Sequence, residues 1–152
     1  MLAPAITFYS FIVGVHVIAV VLAFGILFVY PLMELVGARI EDGSRVWWHK
    51  FQHAIHTKVQ SPALVLVLAA GIYLTADSHQ WSQFFVQWGI AAVIVISGIG
   101  GALIIPRERK LIELGASPND EYLATLKQVR LFQNLQLLIA IVTIVIMAVQ
   151  PS

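Results

Sequence analysis

Four stretches of this chain contain no Asp, Glu, Lys or Arg: Leu2 to Met33, Val59 to Ala76, Ser78 to Pro106 and Leu131 to Ser152. Each reaches or approaches the ~20 residues that an α-helix needs to cross about 30 Å of hydrocarbon at 1.5 Å per residue. Backbone N–H and C=O groups in lipid must be satisfied within the spanning structure, and a helix does so by itself. The chain is 59% hydrophobic and 11% charged, with a mean hydropathy of +0.86, which places it outside the soluble range. The expected fold class is therefore all-α, a single four-transmembrane-helix antiparallel bundle over residues 1–152 with the lipid bilayer as its solvent. Only Asp77 to Gln80 separates the second stretch from the third, so those two form a tight hairpin. Met1 to Ala5 carries no basic n-region and the first apolar stretch far exceeds a signal-peptide core, which reads as a retained helix.

The nine basic residues fall in two groups. Arg39, Arg45, Lys50 and Lys58 precede the second span, and Arg107, Arg109, Lys110, Lys127 and Arg130 precede the fourth. With four spans both groups lie on one side, which the positive-inside bias assigns to the cytoplasm, leaving both termini extracytoplasmic. These connections read as helical extensions into the cytoplasm: Ser44 is placed to cap a helix through Trp47, Trp48, Phe51 and Ile55, Ser117 to Glu121 is a start signal for the fourth helix, and Gly115 stops the third. Trp47 and Trp48 suit the headgroup level. A net charge of +1 supplies no footprint for nucleic acid, and with no cysteine there are no disulfides, thiolate metal sites or iron–sulfur clusters.

His16 is the one ionisable side chain deep within a span, where burial is costly and function is the default reading. Small neighbours at Ala19 and Ala23 leave room on its face for a flat ligand or a close helix. A haem would want a second axial ligand, and Met147 lies at matching depth. The alternative is a neutral histidine hydrogen-bonded to Gln87, Tyr73 or Thr143. His49, His53 and His56 share one helix face, and one metal has room for His53 with either neighbour but not for all three. The alternative, favoured on composition, is an amphipathic face turned to water or headgroups. Pro31, Pro62 and Pro106 interrupt three helices at one boundary, where broken helices would line a polar pocket with Glu34, Gln60, His56 and Asn134. Ser97, Gly98, Gly101 and Ala102 have the small-residue spacing of close helix packing, within the bundle or in a homodimer.

Taken in order, "HVIAVVLAFGILFVYPLM", "KVQSPALVLVLAAGIYL", a Trp-led third span ending in "RERK", and "LQLLIAIVTIVIMAVQP" resemble a group of small bacterial membrane proteins. The group includes an uncharacterised family of predicted four-helix integral membrane proteins, the four-helix protoporphyrinogen oxidase of haem biosynthesis and the copper-resistance D-type membrane domain. The landmarks are His16, Pro62, Gly71 and Trp88. The resemblance implies a bacterial inner membrane location and a haem b or porphyrin contact at His16. In the oxidase family a third-helix lysine is also associated with catalysis; the third span here has none, so the resemblance implies the contact and not the reaction. Three functions follow as expectations: a haem-, porphyrin- or quinone-binding membrane protein, an accessory subunit in a homo-oligomer or larger membrane complex, and a small transporter or metal-handling protein.

Overall fold

The computed structural model describes residues 7–151. The reading of Met1 to Ala5 as part of a retained helix, residues 2–6 of the first apolar stretch, and Ser152 lie outside the described residues. The described chain is all-helical and antiparallel: α1 (Phe8–Gly37), α2 (Arg45–Ser78), α3 (Phe84–Leu114) and α4 (Asp120–Val149), of 30, 34, 31 and 30 residues. At 1.5 Å per residue these rods are about 45–50 Å long, against ~30 Å of hydrocarbon. The excess lies at the end that carries the basic residues, so the helices do project beyond the apolar layer. Each helix packs on its neighbours in sequence, and α1 closes the ring against α4.

Inside and outside are inverted relative to a water-soluble bundle. Val17, Ile18, Val21, Val65, Leu66, Ile94, Leu138 and Val145 are exposed, whereas Gln52, His56, Gln60, Glu108, Gln133 and Gln136 are buried. Lipid takes up the aliphatic side chains at no cost, while polar groups must find partners within the protein. Small residues let the rods approach: Ala19 and Ala23 of α1 and Ala63 of α2 sit in the core with Phe24, Leu27, Leu64, Val67, Val93 and Ile96. A second core at the charged end joins Ile104, Leu111, Tyr122 and Val129.

The helix ends differ in part from expectation. Asn119, not Ser117, caps α4 by accepting from the Tyr122 N–H at 2.9 Å. Ser44 occupies the N-cap position of α2, but its hydroxyl makes no capping bond. Gly115 ends α3 in a right-handed conformation; a side chain there would meet the Leu111 carbonyl at 2.9 Å. His79 ends α2 in the left-handed region at φ 55°, donating its N–H to the Thr75 carbonyl, a backbone role that its side chain does not advertise.

The prolines do not break the helices. α1 runs through Pro31, and Pro62 and Pro106 each follow a π-helical turn, His56–Gln60 in α2 and Ile99–Ile104 in α3. Proline lacks the N–H of the regular ladder and its ring displaces a preceding carbonyl; a widened turn accommodates both. The Ser61 hydroxyl donates to the His56 carbonyl at 2.9 Å, and the Arg107 guanidinium to Leu103 O at 2.8 Å.

The glycines of α3 divide by face. Gly100 is buried, and a Cβ on it would stand 2.8 Å from His56 Nε2 and 3.2 Å from Gln136 Nε2, whereas Gly98 and Gly101 meet nothing within 4 Å. Ser97, Gly98, Gly101 and Ala102 thus face outward and are not used in packing the bundle. Gly100→Ala is expected to destabilise the detergent-solubilised protein by about 1–3 kcal/mol through overpacking. Gly98→Ala, with open space at its Cβ, is expected to leave stability unchanged or raise it by up to about 1 kcal/mol. Paired thermal denaturation of the two variants measures the difference.

Candidate functional site

A cavity of about 470 Å³ lies toward the uncharged end of the bundle, lined from all four helices. Its wall is mostly apolar, with Val17, Val20 and Phe24 from α1, Val67 and Leu68 from α2, Ile90 and Val93 from α3 and Ile144 from α4. His16 and Met147 both line it. Each stands opposite a glycine: a Cβ on Gly71 would lie 3.2 Å from His16 Cε1, and one on Gly89 would overlap the Met147 methyl. The two small residues therefore make the room that the His16 ring and the Met147 thioether occupy.

The surroundings of His16 bear on the reading of it as a hydrogen-bonded core histidine. None of the proposed partners reaches it. Gln87 donates to the Trp81 carbonyl at 3.2 Å, Tyr73 packs edge-on against Phe8, and Thr143 accepts from Trp88 Nε1 at 3.1 Å while donating to Ile139 O. The imidazole lies near the Val67 backbone, and its Nδ1 is buried with no partner among the described residues. In a neutral ring the nitrogen without the proton presents a lone pair. A volume of this size falls within the range of small-molecule sites, about 300–1,000 Å³. The cavity thus brings together one imidazole, one thioether and a mostly apolar wall.

Toward the charged end lies a second constellation, which is polar and closely packed. Glu108 of α3 is 3% exposed, and its two carboxylate oxygens each meet an imidazole of α2: Oε1 is 3.0 Å from His56 Nδ1 and Oε2 is 3.0 Å from His53 Nδ1. A carboxylate can only accept, so both contacts are satisfied when both rings carry their proton on Nδ1. Around the pair, the Tyr30 hydroxyl donates to Gln60 Oε1 at 2.7 Å, Gln136 Nε2 donates to the Ile96 carbonyl at 2.8 Å, and His49 Nε2 meets the Tyr122 hydroxyl at 2.7 Å. Gln60 Nε2 and Gln136 Oε1 have no partner among the described residues. Both π turns border this layer, placing His56 of one helix against Gly100 of the other.

The histidine face is consequently not turned to water or headgroups as favoured on composition: His49 is 5% and His56 1% exposed. The reason is that α2 and α3 both extend beyond the apolar layer and pack together there, so the face is covered by α3 and the start of α4. The three do not converge on one point either, since His49 turns to Tyr122 while His53 and His56 share Glu108. Among the described residues no group of three or more His, Asp or Glu is arranged to enclose a metal ion. The polar pocket also divides. Glu34 and Asn134 line a groove between α1 and α4 with Arg130, whereas Gln60 and His56 belong to the interior layer. Sequence reasoning missed Glu108, Tyr30 and Tyr122. A signal for Glu108 exists: Gly100, Ile104, Glu108 and Leu111 are spaced at four, four and three and are all buried, so the carboxylate lies on the core stripe of α3 rather than with its neighbours Arg107 and Arg109.

No protein-family model, no curated protein and no solved structure matches this chain.

The geometry predicts that ¹⁵N NMR of the histidine side chains finds His53 and His56 both protonated on Nδ1. Glu108→Ala leaves the enclosed His56 ring without its acceptor and is expected to cost about 1–3 kcal/mol in denaturation of the solubilised protein.

Proposed function

We propose that this multi-pass membrane protein holds a flat, largely apolar ligand of the haem, porphyrin or quinone class in the cavity toward its uncharged end. The observation that carries the reading is a lone imidazole, His16, with no partner at its Nδ1, lining a mostly apolar space of about 470 Å³ together with Met147. His16 would be the ligating or hydrogen-bonding side chain and Met147 the second contact, with Gly71 and Gly89 keeping both clear of the neighbouring helices. A bound haem would supply one-electron redox chemistry; the chain's part is to orient it and exclude water. By the positive-inside bias the charged end is cytoplasmic and both chain ends extracytoplasmic, in the inner membrane of a bacterium.

The polar layer favours a second reading, a protein that handles small cations. Two imidazoles anchored on one buried carboxylate are an unusual expense within a membrane domain. Here the expected result is metal co-purifying with the wild type and lost in His53→Ala; identical metal content in both counts against it. For the accessory-subunit reading, the support is the outward stripe of Ser97, Gly98, Gly101 and Ala102, a surface suited to a second copy or a partner helix.

For the principal reading, the detergent-purified protein supplemented with haem is expected to show a Soret band that His16→Ala abolishes. Gly89→Ala, which forces Met147 to move, is expected to shift or weaken it. Absence of a band in the wild type removes haem as the ligand, and an unaltered band in His16→Ala removes His16 from the site.

A further inference from the structure

The cavity at the uncharged end opens sideways, between α1 and α4. Val17, Val21, Phe24, Phe28, Pro31 and Leu35 of α1 recur at alternating intervals of four and three and so form one stripe, whose last two members line a groove that α1 makes with α4. The matching stripe of α4 runs Arg130, Asn134, Leu137, Ile141 and Ile144, and its first two members line the same groove. Both stripes therefore face the seam between these helices. In the middle of the seam Phe24 is buried and Leu137 packs against the core. Beyond that point Val17, Val21 and Ile144 line the cavity and are nevertheless 54%, 63% and 39% exposed. They form the rim of an opening.

The rim faces acyl chains. Glu34 is the first charged residue after the first apolar stretch and Arg130 the last before the fourth, so the two mark one edge of the apolar layer. Val17, Val21 and Ile144 lie about 20–25 Å along the helices from that edge, at 1.5 Å per residue, and so within the ~30 Å of hydrocarbon. A ligand that uses this opening arrives dissolved in the bilayer.

Charge restricts the ligand further. The cavity is lined by no Asp, Glu, Lys or Arg, and every Lys and Arg of the chain belongs to the two groups at the other end. An ionic group crossing the rim or lodged against the wall would have no counter-charge, a costly arrangement in an apolar medium. The two carboxylates of a haem or porphyrin meet that cost, and an electrically neutral head does not. The polar chemistry of the wall is itself uncharged and works in both directions, since a neutral imidazole such as that of His16 has one donor and one acceptor nitrogen. A quinone ring presents carbonyls that accept when oxidised and hydroxyls that donate when reduced, and an imidazole serves either form. A prenyl tail leaves through the rim into surroundings as apolar as itself.

Resting on the reading of this cavity as a ligand site, we propose that its occupant is a neutral prenylated quinone that enters from the bilayer between α1 and α4, with its ring beside His16 and its tail passing out between Val17 and Ile144.

The test uses the full chain in nanodiscs of palmitoyl-oleoyl phosphatidylcholine, mixed with decylubiquinone in a stopped-flow instrument and followed by quenching of tryptophan fluorescence. Trp88, whose indole donates to Thr143 on the cavity wall, supplies the signal. Saturable quenching is expected, weakened about tenfold in His16→Leu, the scale of one lost hydrogen bond. Val17→Phe combined with Ile144→Phe, both at exposed positions, is expected to slow association about tenfold by narrowing the rim. Quenching that rises in proportion to the quinone without saturating reports partition into lipid only and overturns the proposal, as does undiminished affinity in His16→Leu or an unchanged association rate in the double variant. If the quinone fails while haem gives a Soret band that His16→Ala abolishes, the cavity stands as a ligand site and the quinone assignment falls. If neither binds, the ligand reading of the cavity falls with it.

Discussion

Hydrocarbon offers no hydrogen bonds, and every level of this structure answers to that constraint. Backbone groups are closed within four long helices, aliphatic side chains that would form the core of a soluble bundle face outward, and the polar side chains turn toward one another. A buried Glu108 is tolerable in such a setting because both of its oxygens are met by imidazoles. The interior is divided accordingly, with a roomy apolar cavity toward one end and a compact polar layer toward the other.

The polar layer depends on fine backbone adjustments more than on helix placement. A regular helix through Pro62 or Pro106 would conflict with the proline ring, and the π turns that relieve this sit beside His56 and Gly100. With no side chain on Gly100, the His56 ring and the Gln136 amide approach the α3 backbone closely. Prolines that look like helix breakers in a linear reading therefore act as local widenings that bring imidazole, amide and carboxylate into one layer.

Certain candidate residues stood out before the fold was known, and they share a property: they are out of place in their local text. His16 stands alone among aliphatic residues, and Met147 was matched to it by depth, which is a one-dimensional quantity in an antiparallel bundle. The structure sets both on the wall of one cavity. Glu108 was hidden for the opposite reason, since it sits among Arg107, Arg109 and Lys110 and resembles a solvated charge run until its helical register is counted. The three histidines of α2 were recognised as one face, but the helix that covers this face is more than 50 residues further along the chain, and nothing local announces it.

Hydropathy and charge by themselves determined the number of spans, their antiparallel order, the overhang at the charged end and the all-helical class, because transfer of apolar and charged groups between water and lipid depends on composition along a segment and hardly on neighbours. Tertiary structure alone decided which way each polar side chain turns: Gln60 toward Tyr30, His49 toward Tyr122, His53 and His56 toward Glu108, and Glu34 toward Arg130. Those choices rest on angles and distances of a few ångströms between helices remote in sequence, and the pairing of hydrogen-bond donors with acceptors is decided at that scale.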